Sequence, residues 1–161
     1  MGIKLLDCTL RDGGYINDWN FGENVISQIL EKLQNASVEF VEVGFLTKRK
    51  HTKNQSLYND YEEIRTVVPP NKKNTKFVAM VNCGEFDVTT LGAHEEDSSL
   101  FGIRVAFHKH QMEEAVILGK QILQLGYNLF FQPMCTDLYS DKEMQDLIEV
   151  MNQIKPYAFY I

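Results

Sequence analysis

The chain has 161 residues and a formal net charge of −6, with 44% hydrophobic and 24% charged residues. This length predicts one domain, and the composition is ordinary for a globular protein and too apolar for intrinsic disorder. No apolar run approaches the ~18–20 residues that a membrane span needs, and a negative balance without a long basic patch argues against a nucleic-acid partner.

The cysteines and the N-terminus bear on the compartment of the protein. Cys8, Cys83 and Cys135 are odd in number and widely spaced, which excludes a disulfide framework, and the lack of a C-x-x-C pair argues against structural zinc. Each lies near the end of a strand-like run, where a small buried side chain or a position in the interior layer of a barrel would fit. Asp7 and Arg11 interrupt the N-terminus before a signal peptide can form. We therefore expect reduced thiols in a soluble, cytoplasmic protein.

Strand-like and helix-like segments alternate along the chain. In chain order the predicted elements are a strand at 3–7, a helix at about 23–35, a strand at 39–45, a helix at 57–68, a strand at 76–82, a loop with a poor helix at 84–99, a strand at 101–107, a helix at about 111–125, a strand at 128–134, a helix after Ser140 and a strand at 157–161. Helices are indicated by apolar residues at helical spacing, and strands by near-continuous apolar runs. Pro69 and Pro70 end the second helix, Gly126 occupies a helix C-cap position, and Ser140 with Glu143 forms a capping-box signature.

This alternation predicts an α/β fold made of right-handed β-α-β units around a parallel sheet. A doubly wound sheet has about this number of strands, whereas a (β/α)8 barrel needs roughly 250 residues, of which this chain would be about three quarters. The G-x-G-x-x-G fingerprint is absent, which weakens a dinucleotide-binding version. An unpaired last strand favours a truncated TIM barrel of about six strands, with residues 1–161 as its N-terminal segment. The exposed sheet edges then predict a homodimer or a larger oligomer.

The residues best suited to chemistry follow the predicted strand ends. Parallel α/β folds place their active sites at the C-terminal ends of strands. The string TLRDGG puts Arg11 and Asp12 just past the first strand, and VEVGF puts Glu42 at the end of the second. Together with Tyr15 and Asn17, these side chains are expected to face one mouth. A structural salt bridge is the alternative interpretation of an arginine beside an aspartate.

The HKH string after the fourth strand has the spacing of metal ligands. In an extended segment His108 and His110 would share a face. The alternative is one histidine at the rim of a pocket and one in solvent, and we expect this second arrangement.

The densest basic stretch is TKRKHTKNQ, residues 47–55. Such a charge run is typical of a solvated loop. A functional alternative is a contact with an anionic substrate or a phosphate near the site.

Two strings of the sequence carry a family resemblance. LLDCTLRDGG, followed after a helix by VEFVEVGF, resembles the metal-dependent aldolase and lyase superfamily that includes 4-hydroxy-2-oxovalerate aldolase, 3-hydroxy-3-methylglutaryl-CoA lyase and isopropylmalate synthase. GIRVAFHKHQMEEAV is similar to the fourth strand and following helix of the oxovalerate aldolases. The resemblance covers nearly the whole chain. It implies a (β/α)8 barrel that makes or breaks a C–C bond beside a divalent metal.

The resemblance also implies roles for individual residues. Asp12 would be a metal ligand, suited to Mg²⁺ or Mn²⁺ and, as further possibilities, Zn²⁺ or Co²⁺. Arg11 would stabilise the enolate oxygen, and Glu42 would line the pocket. Tyr15 stands where the oxovalerate aldolases carry a proton-transferring histidine, although a phenol is a poor base at neutral pH. The family's remaining ligands, a His-x-His pair at the seventh strand, would lie beyond residue 161.

Three functions are therefore carried forward. The first is an aldolase-type lyase acting on a small 4-hydroxy-2-oxo acid, present as an N-terminal segment that is inactive by itself. The second is an acyl-CoA condensing synthase of the same superfamily. The third is a non-catalytic domain that keeps the fold for binding or assembly, which the tyrosine at position 15 and the missing histidines favour.

Overall fold

The computed structural model describes residues 3–70 and 74–161, and its strands and helices alternate as predicted. The strands are β1 (Leu6–Asp7), β2 (Phe40–Leu46), β3 (Leu57–Tyr58), β4 (Lys76–Asn82), β5 (Gly102–Phe107), β6 (Asn128–Pro133) and β7 (Ala158–Phe159). The α-helices are α1 (Thr9–Asp12), α2 (Glu23–Asn35), α3 (Tyr61–Val67), α4 (Met112–Gln124) and α5 (Asp141–Ile154). Short 3₁₀ turns occupy Gly13–Ile16, Val88–Leu91, Lys109–Gln111 and Thr136–Leu138.

The strands form one parallel sheet in the order β1-β2-β4-β5-β6-β7. The sheet curves as a half-barrel with helices between its strands, so the predicted truncated TIM-barrel fold is confirmed. Among the residues that the structure describes, no helix has both the length and the apolar character needed to cross a membrane.

Side chains alternate along each strand between the face of the sheet that the helices cover and the inward face, and both faces are largely apolar. Outward residues pack under the helices in the main core, as Val41, Val81 and Phe131 do. Inward residues form two smaller clusters, one around Phe40 at the start of the strands and one around Phe45 at their ends. Because the pleat repeats every two residues, the inward positions between these clusters belong to one layer, which holds the polar side chains described below.

The first strand is shorter than predicted, and a second short strand, which was not predicted, pairs with β2 beyond the end of the first. β1 pairs with the start of β2, and β3 pairs with the end of β2 on the same side, opposite β4. Gly44 permits this approach, because it has a φ of +139° and a side chain there would overlap the Ser56 carbonyl oxygen. The prediction of a helix from residue 57 is wrong. The helix begins at Tyr61, because the Asp60 carboxylate accepts a hydrogen bond from the backbone N–H of Glu63 at 2.9 Å.

Other predicted helix boundaries are confirmed. Ser140 and Glu143 form the capping box that begins α5. Gly126 follows α4 with a φ of +91°, the left-handed conformation that favours glycine. Gly119 brings α4 close to β6, since a Cβ atom there would lie 2.7 Å from Phe131 Cζ.

The edges of the sheet predict self-association. Ile3, before β1, is 98% exposed, and Ile161, after β7, is 76% exposed. Among the described strands, β1 and β7 each leave one side of their backbone unpaired, and such edges pair with other chains. Light scattering after size exclusion is expected to show a dimer or larger species at micromolar concentration. Ile161→Lys is expected to weaken association, and Lys142→Ala on the exposed side of α5 serves as the control. A mass of one chain for the parent protein would contradict the prediction.

Candidate active site at the mouth of the half-barrel

One buried carboxylate joins two arginines on the inner face of the sheet. Glu42 is fully buried and is the third residue of β2, so the prediction that it lies at the end of the strand is wrong. Its Oε2 accepts a hydrogen bond from Arg11 Nε at 2.7 Å, and its Oε1 accepts one from Arg104 Nη1 at 2.5 Å. Arg104, on β5, is buried as well and also donates from Nη2 to the side-chain oxygen of Gln132 on β6. The network therefore spans three strands of the sheet and the turn that follows β1.

The turn after β1 is folded so that Arg11 points back over this face. Asp12 N–H donates to the Cys8 carbonyl at 2.7 Å and closes α1. Trp19 Nε1 donates to the Arg11 carbonyl at 2.8 Å, and its indole lies against Gly14. A side chain at residue 14 would overlap that ring, which explains the second glycine of TLRDGG. The arginine and the aspartate are thus side by side because a compact turn presents both of them to the mouth.

Trp19 is held in an unusual backbone conformation. Asp18 and Trp19 both have left-handed φ angles, of 54° and 57°. Contacts from residues 49–56 of the same chain stabilise this conformation. Arg49 Nη2 lies 2.6 Å from Asp18 Oδ1, Gln55 Nε2 donates to the Asp18 carbonyl at 2.9 Å, and Ser56 N–H donates to the Trp19 carbonyl at 3.0 Å. Such strain persists where the surroundings over-determine it, and it is found at functional sites.

The network has more buried positive than negative charge. Burial opposes the Arg11 cation, but the charge and hydrogen bond of Glu42 outweigh burial and raise the pKa of Arg11. Burial also raises the pKa of the Cys8 thiol, and Glu42 acts in the same direction. The thiol, 3.7 Å from Arg104 Nη1, is therefore neutral near pH 7 and does not balance a cation. Two guanidinium groups consequently share one buried carboxylate.

Asp12 lies at the mouth, where the sequence predicts a metal ligand. Its Oδ1 is 2.7 Å from Arg11 Nη1, and its side chain is 69% exposed. Within residues 3–70 and 74–161, no group of three or more His, Cys, Asp or Glu side chains could hold a metal ion. The residues present thus fit one position of a metal site, and the ligand role of Asp12 stays a prediction.

Tyr15 lies at the mouth, where it contacts two aromatic rings. Its ring is 64% exposed and packs edge-on against Trp19, with centroids 4.9 Å apart, and against Phe45 at 6.4 Å. The predicted role of Tyr15 in proton transfer stays a prediction. Asn17, also expected at the mouth, donates from its side chain to the Asn20 carbonyl at 3.1 Å.

The two histidines of HKH stack on each other instead of extending along a strand. Their rings are 5.8 Å apart and nearly parallel, at 7°, and both residues are exposed at the C-terminal end of β5. His110 lies in a 3₁₀ turn, so the two histidines are not in an extended segment. Across the described ranges, no third His, Cys, Asp or Glu side chain completes a metal group there.

The basic stretch 47–55 is a largely exposed loop, as predicted, and Arg49 anchors it to the turn after β1. Arg49 pairs with Asp18, and its guanidinium carbon lies 5.4 Å from the centre of the Trp19 ring. The Asn59 side chain donates to the carbonyls of Thr47 and Arg49 at 2.5 and 3.1 Å. Arg49 thus supports the turn that carries Arg11, and the possible anion contact of this stretch stays a prediction.

Several residues of the network have no role predicted from the sequence. Arg104 and Gln132 were predicted to lie in strands, and an inward-facing arginine within an apolar run was the available signal. Trp19 gave no signal, because its position depends on the left-handed turn. Of the cysteines, Cys83 is buried, Cys8 is half-buried beside Arg104 and Cys135 is exposed.

Comparisons with known proteins support the fold. No protein-family model matches the chain, and no curated protein does. Among solved structures, 14 chains match. One is the N-terminal domain of a putative aldolase from Bacteroides vulgatus, with 21% sequence identity and a TM-score of 0.67; the match covers 94% of this chain and 52% of that chain. At this identity the likeness shows the fold, and the chain spans about half the length of that structure.

The packing of Trp19 on Gly14 predicts different effects for two adjacent glycines. Gly14→Ala is expected to displace the indole, break its bond to the Arg11 carbonyl and destabilise the fold by about 1–3 kcal/mol. Gly13→Ala is the matched control, because a Cβ atom there would meet Phe21 Cζ at 3.9 Å, an ordinary contact.

Urea unfolding followed by tryptophan fluorescence measures both effects, since the chain has one tryptophan. The emission of Gly14→Ala is expected to shift to the red in the native state. Equal stability and equal emission of the two variants would show that Gly14 does not position Trp19.

Proposed function

We propose that this chain carries part of the active site of an aldolase-type lyase that cleaves or forms a C–C bond next to a 2-oxo group. The observation that carries the proposal is the pair Arg11 and Arg104 on the Glu42 carboxylate, in the inner layer of the parallel half-barrel below the C-terminal ends of its strands. The aldolase fold of the solved structure and the resemblance of the TLRDGG string support the same reaction class.

The arrangement suits a reaction in which negative charge develops on an oxygen. In the cleavage direction, the C4 hydroxyl of a 4-hydroxy-2-oxo acid loses its proton, the C3–C4 bond breaks to release an aldehyde, and the electron pair moves onto the C2 oxygen as an enolate. Protonation of C3 then yields the 2-oxo acid. Arg11 is proposed to hold the enolate oxygen, because a fixed guanidinium stabilises an oxyanion without reorganising during the reaction. Tyr15 is the proposed proton-transfer residue.

Glu42 and Arg104 are proposed to keep Arg11 in place. Glu42 fixes the Nε edge of the guanidinium, and Arg104 holds the other oxygen of that carboxylate. An unpaired buried carboxylate is costly, and Arg104 still balances the Glu42 charge when Arg11 is altered.

A divalent ion is proposed as a further component, with Asp12 as one ligand. Mg²⁺ or Mn²⁺ is the expected ion, and when bound it would polarise the oxo group as a Lewis acid. Its other ligands would have to come from outside the residues described, because Asp12 supplies a single carboxylate.

The non-catalytic alternative is also favoured by one observation. Arg11 and Arg104 are both engaged by Glu42, which is what a purely structural salt bridge would show. Kinetics on variants of Arg11 separates the two functions, since a structural pair affects stability without a selective effect on turnover.

For the complete gene product, Arg11→Ala is expected to lower kcat for cleavage of a 4-hydroxy-2-oxo acid by roughly 10²–10³-fold, the scale for removing one preorganised oxyanion donor. Stability should change little, because Arg104 still pairs with Glu42. Arg65→Ala, an exposed arginine on α3, is the control and should leave kcat unchanged. Activity of Arg11→Ala within about twofold of the parent would remove Arg11 from the mechanism.

For the metal, the 161-residue chain is expected to bind Mg²⁺ or Mn²⁺ only weakly in calorimetry. Such ions take about six ligands, and Asp12 offers one carboxylate. Asp12→Asn should abolish the residual binding, whereas a double His108→Ala, His110→Ala variant should not alter it. Submicromolar affinity that disappears in the double histidine variant would place the metal at HKH instead.

A further inference from the structure

The mouth of the half-barrel combines a charged floor with apolar walls. Directly beyond the Glu42 network lies the apolar collar, defined as Phe45, Leu57, Met80 and Ala106, with Trp19 and Met134 packed against it and Tyr15 in contact with its aromatic rings. Its first four members are buried, whereas Trp19, Met134 and Tyr15 reach solvent. A ligand in the mouth would therefore touch apolar side chains on the way to the floor.

Floor and collar are successive layers of the same inward face. Ala106 lies two residues after Arg104, and Met134 two residues after Gln132, so each pair is separated by about 7 Å along its strand. On β2 Glu42 and Phe45 are three residues apart, and the register shift between them keeps Phe45 facing inward as well. The strand geometry thus places the charged floor and the apolar collar close enough for one small molecule to contact both.

The floor has donors that protein groups do not use. Among the described residues, Arg104 Nε is buried without a hydrogen-bond partner, and the Tyr160 ring lies 4.9 Å from its guanidinium carbon. Arg11 donates from Nε and Nη1, while its Nη2 makes no hydrogen bond to the described residues. The buried layer has two guanidinium groups for one carboxylate, and the Asp12 carboxylate that also contacts Arg11 is largely in solvent. An excess of buried positive charge with unused donors is suited to one anionic group of a ligand.

From this juxtaposition we infer that the mouth binds a monoanionic 2-oxo acid whose other end is an apolar tail. The inference rests on the proposed function for the 2-oxo acid class and deepens it by assigning the tail. The carboxylate and oxo oxygens would meet Arg11, and the tail would lie along Tyr15, Trp19 and Met134. A second carboxylate in place of the tail would lose water against apolar side chains, and Arg49, the cation beside Trp19, is already paired with Asp18, so the exchange is unfavourable.

The test uses the 161-residue chain and three probes that differ only beyond the 2-oxo acid group: pyruvate, 2-oxooctanoate and 2-oxoglutarate. Calorimetry is expected to show 2-oxooctanoate binding about tenfold or more tighter than pyruvate, because its additional methylene groups leave water. 2-Oxoglutarate is expected to bind no better than pyruvate. Fluorescence of Trp19, the single tryptophan, should change with 2-oxooctanoate and stay constant with pyruvate.

Two variants at Tyr15 locate the tail. Tyr15→Ser removes an exposed ring and should reduce the preference for 2-oxooctanoate over pyruvate several-fold. Tyr15→Phe keeps the ring and should retain the preference, which separates the apolar surface from any role of the hydroxyl. Circular dichroism verifies that both variants keep the parent fold.

Several results would overturn the inference. They are affinities for pyruvate and 2-oxooctanoate within about twofold, tighter binding of 2-oxoglutarate, a preference unaffected by Tyr15→Ser, or no binding of any probe at millimolar concentration. The proposed function fails separately, because it concerns turnover. If the gene product does not cleave 4-hydroxy-2-oxo acids but keeps the preference for 2-oxooctanoate, the proposed reaction is wrong and the inferred binding site stands. If it is an active enzyme without that preference, the inferred tail site is wrong and the proposed reaction stands.

Discussion

The Glu42 carboxylate is the interaction on which the centre of this half-barrel depends. An unpaired carboxylate at that depth would be costly to bury, and each of its oxygens accepts from one arginine, Arg11 or Arg104. Arg104 comes from within the sheet, on β5, whereas Arg11 belongs to the turn that follows β1. The early end of that strand and the tight turn around Gly14, against which Trp19 packs, bring Arg11 to the carboxylate.

Patterns that repeat along the chain were predictable from the sequence. The run at residues 76–82 forms β4 with the predicted bounds, because a strand buried on both faces has a continuous apolar signature. Likewise, Arg11 contacts both Asp12 and Glu42 on the inner face of the sheet, as expected, although Glu42 lies near the start of β2 and not at its end. These predictions needed local pattern and topology alone.

Features that depend on distant neighbours were not predictable. Residues 57–58 form a strand only because β1 leaves the end of β2 unpaired, and two residues carry no periodic signal. Arg104 and Glu42 are 62 positions apart in the sequence, and no local property of either residue identifies the other as its partner. Trp19 reaches Arg11 through two left-handed residues that ordinary propensities disfavour.

The sharing of one side of β2 by β1 and β3 has a consequence for motion. Ser56 Oγ donates to the Leu10 carbonyl at 2.6 Å, and an antiparallel bridge joins Asn20 to Gln55, so the segment after β1 and the segment before β3 are linked at several points. These two segments form one cross-linked wall, which carries Arg11 and the aromatic rings. The turns after β5 and β6 form a second linked group, because Lys109 Nζ donates to the Leu138 carbonyl at 3.4 Å and lies 3.0 Å from Glu143 Oε1. A change in the width of the mouth would therefore move one linked group of segments against the other.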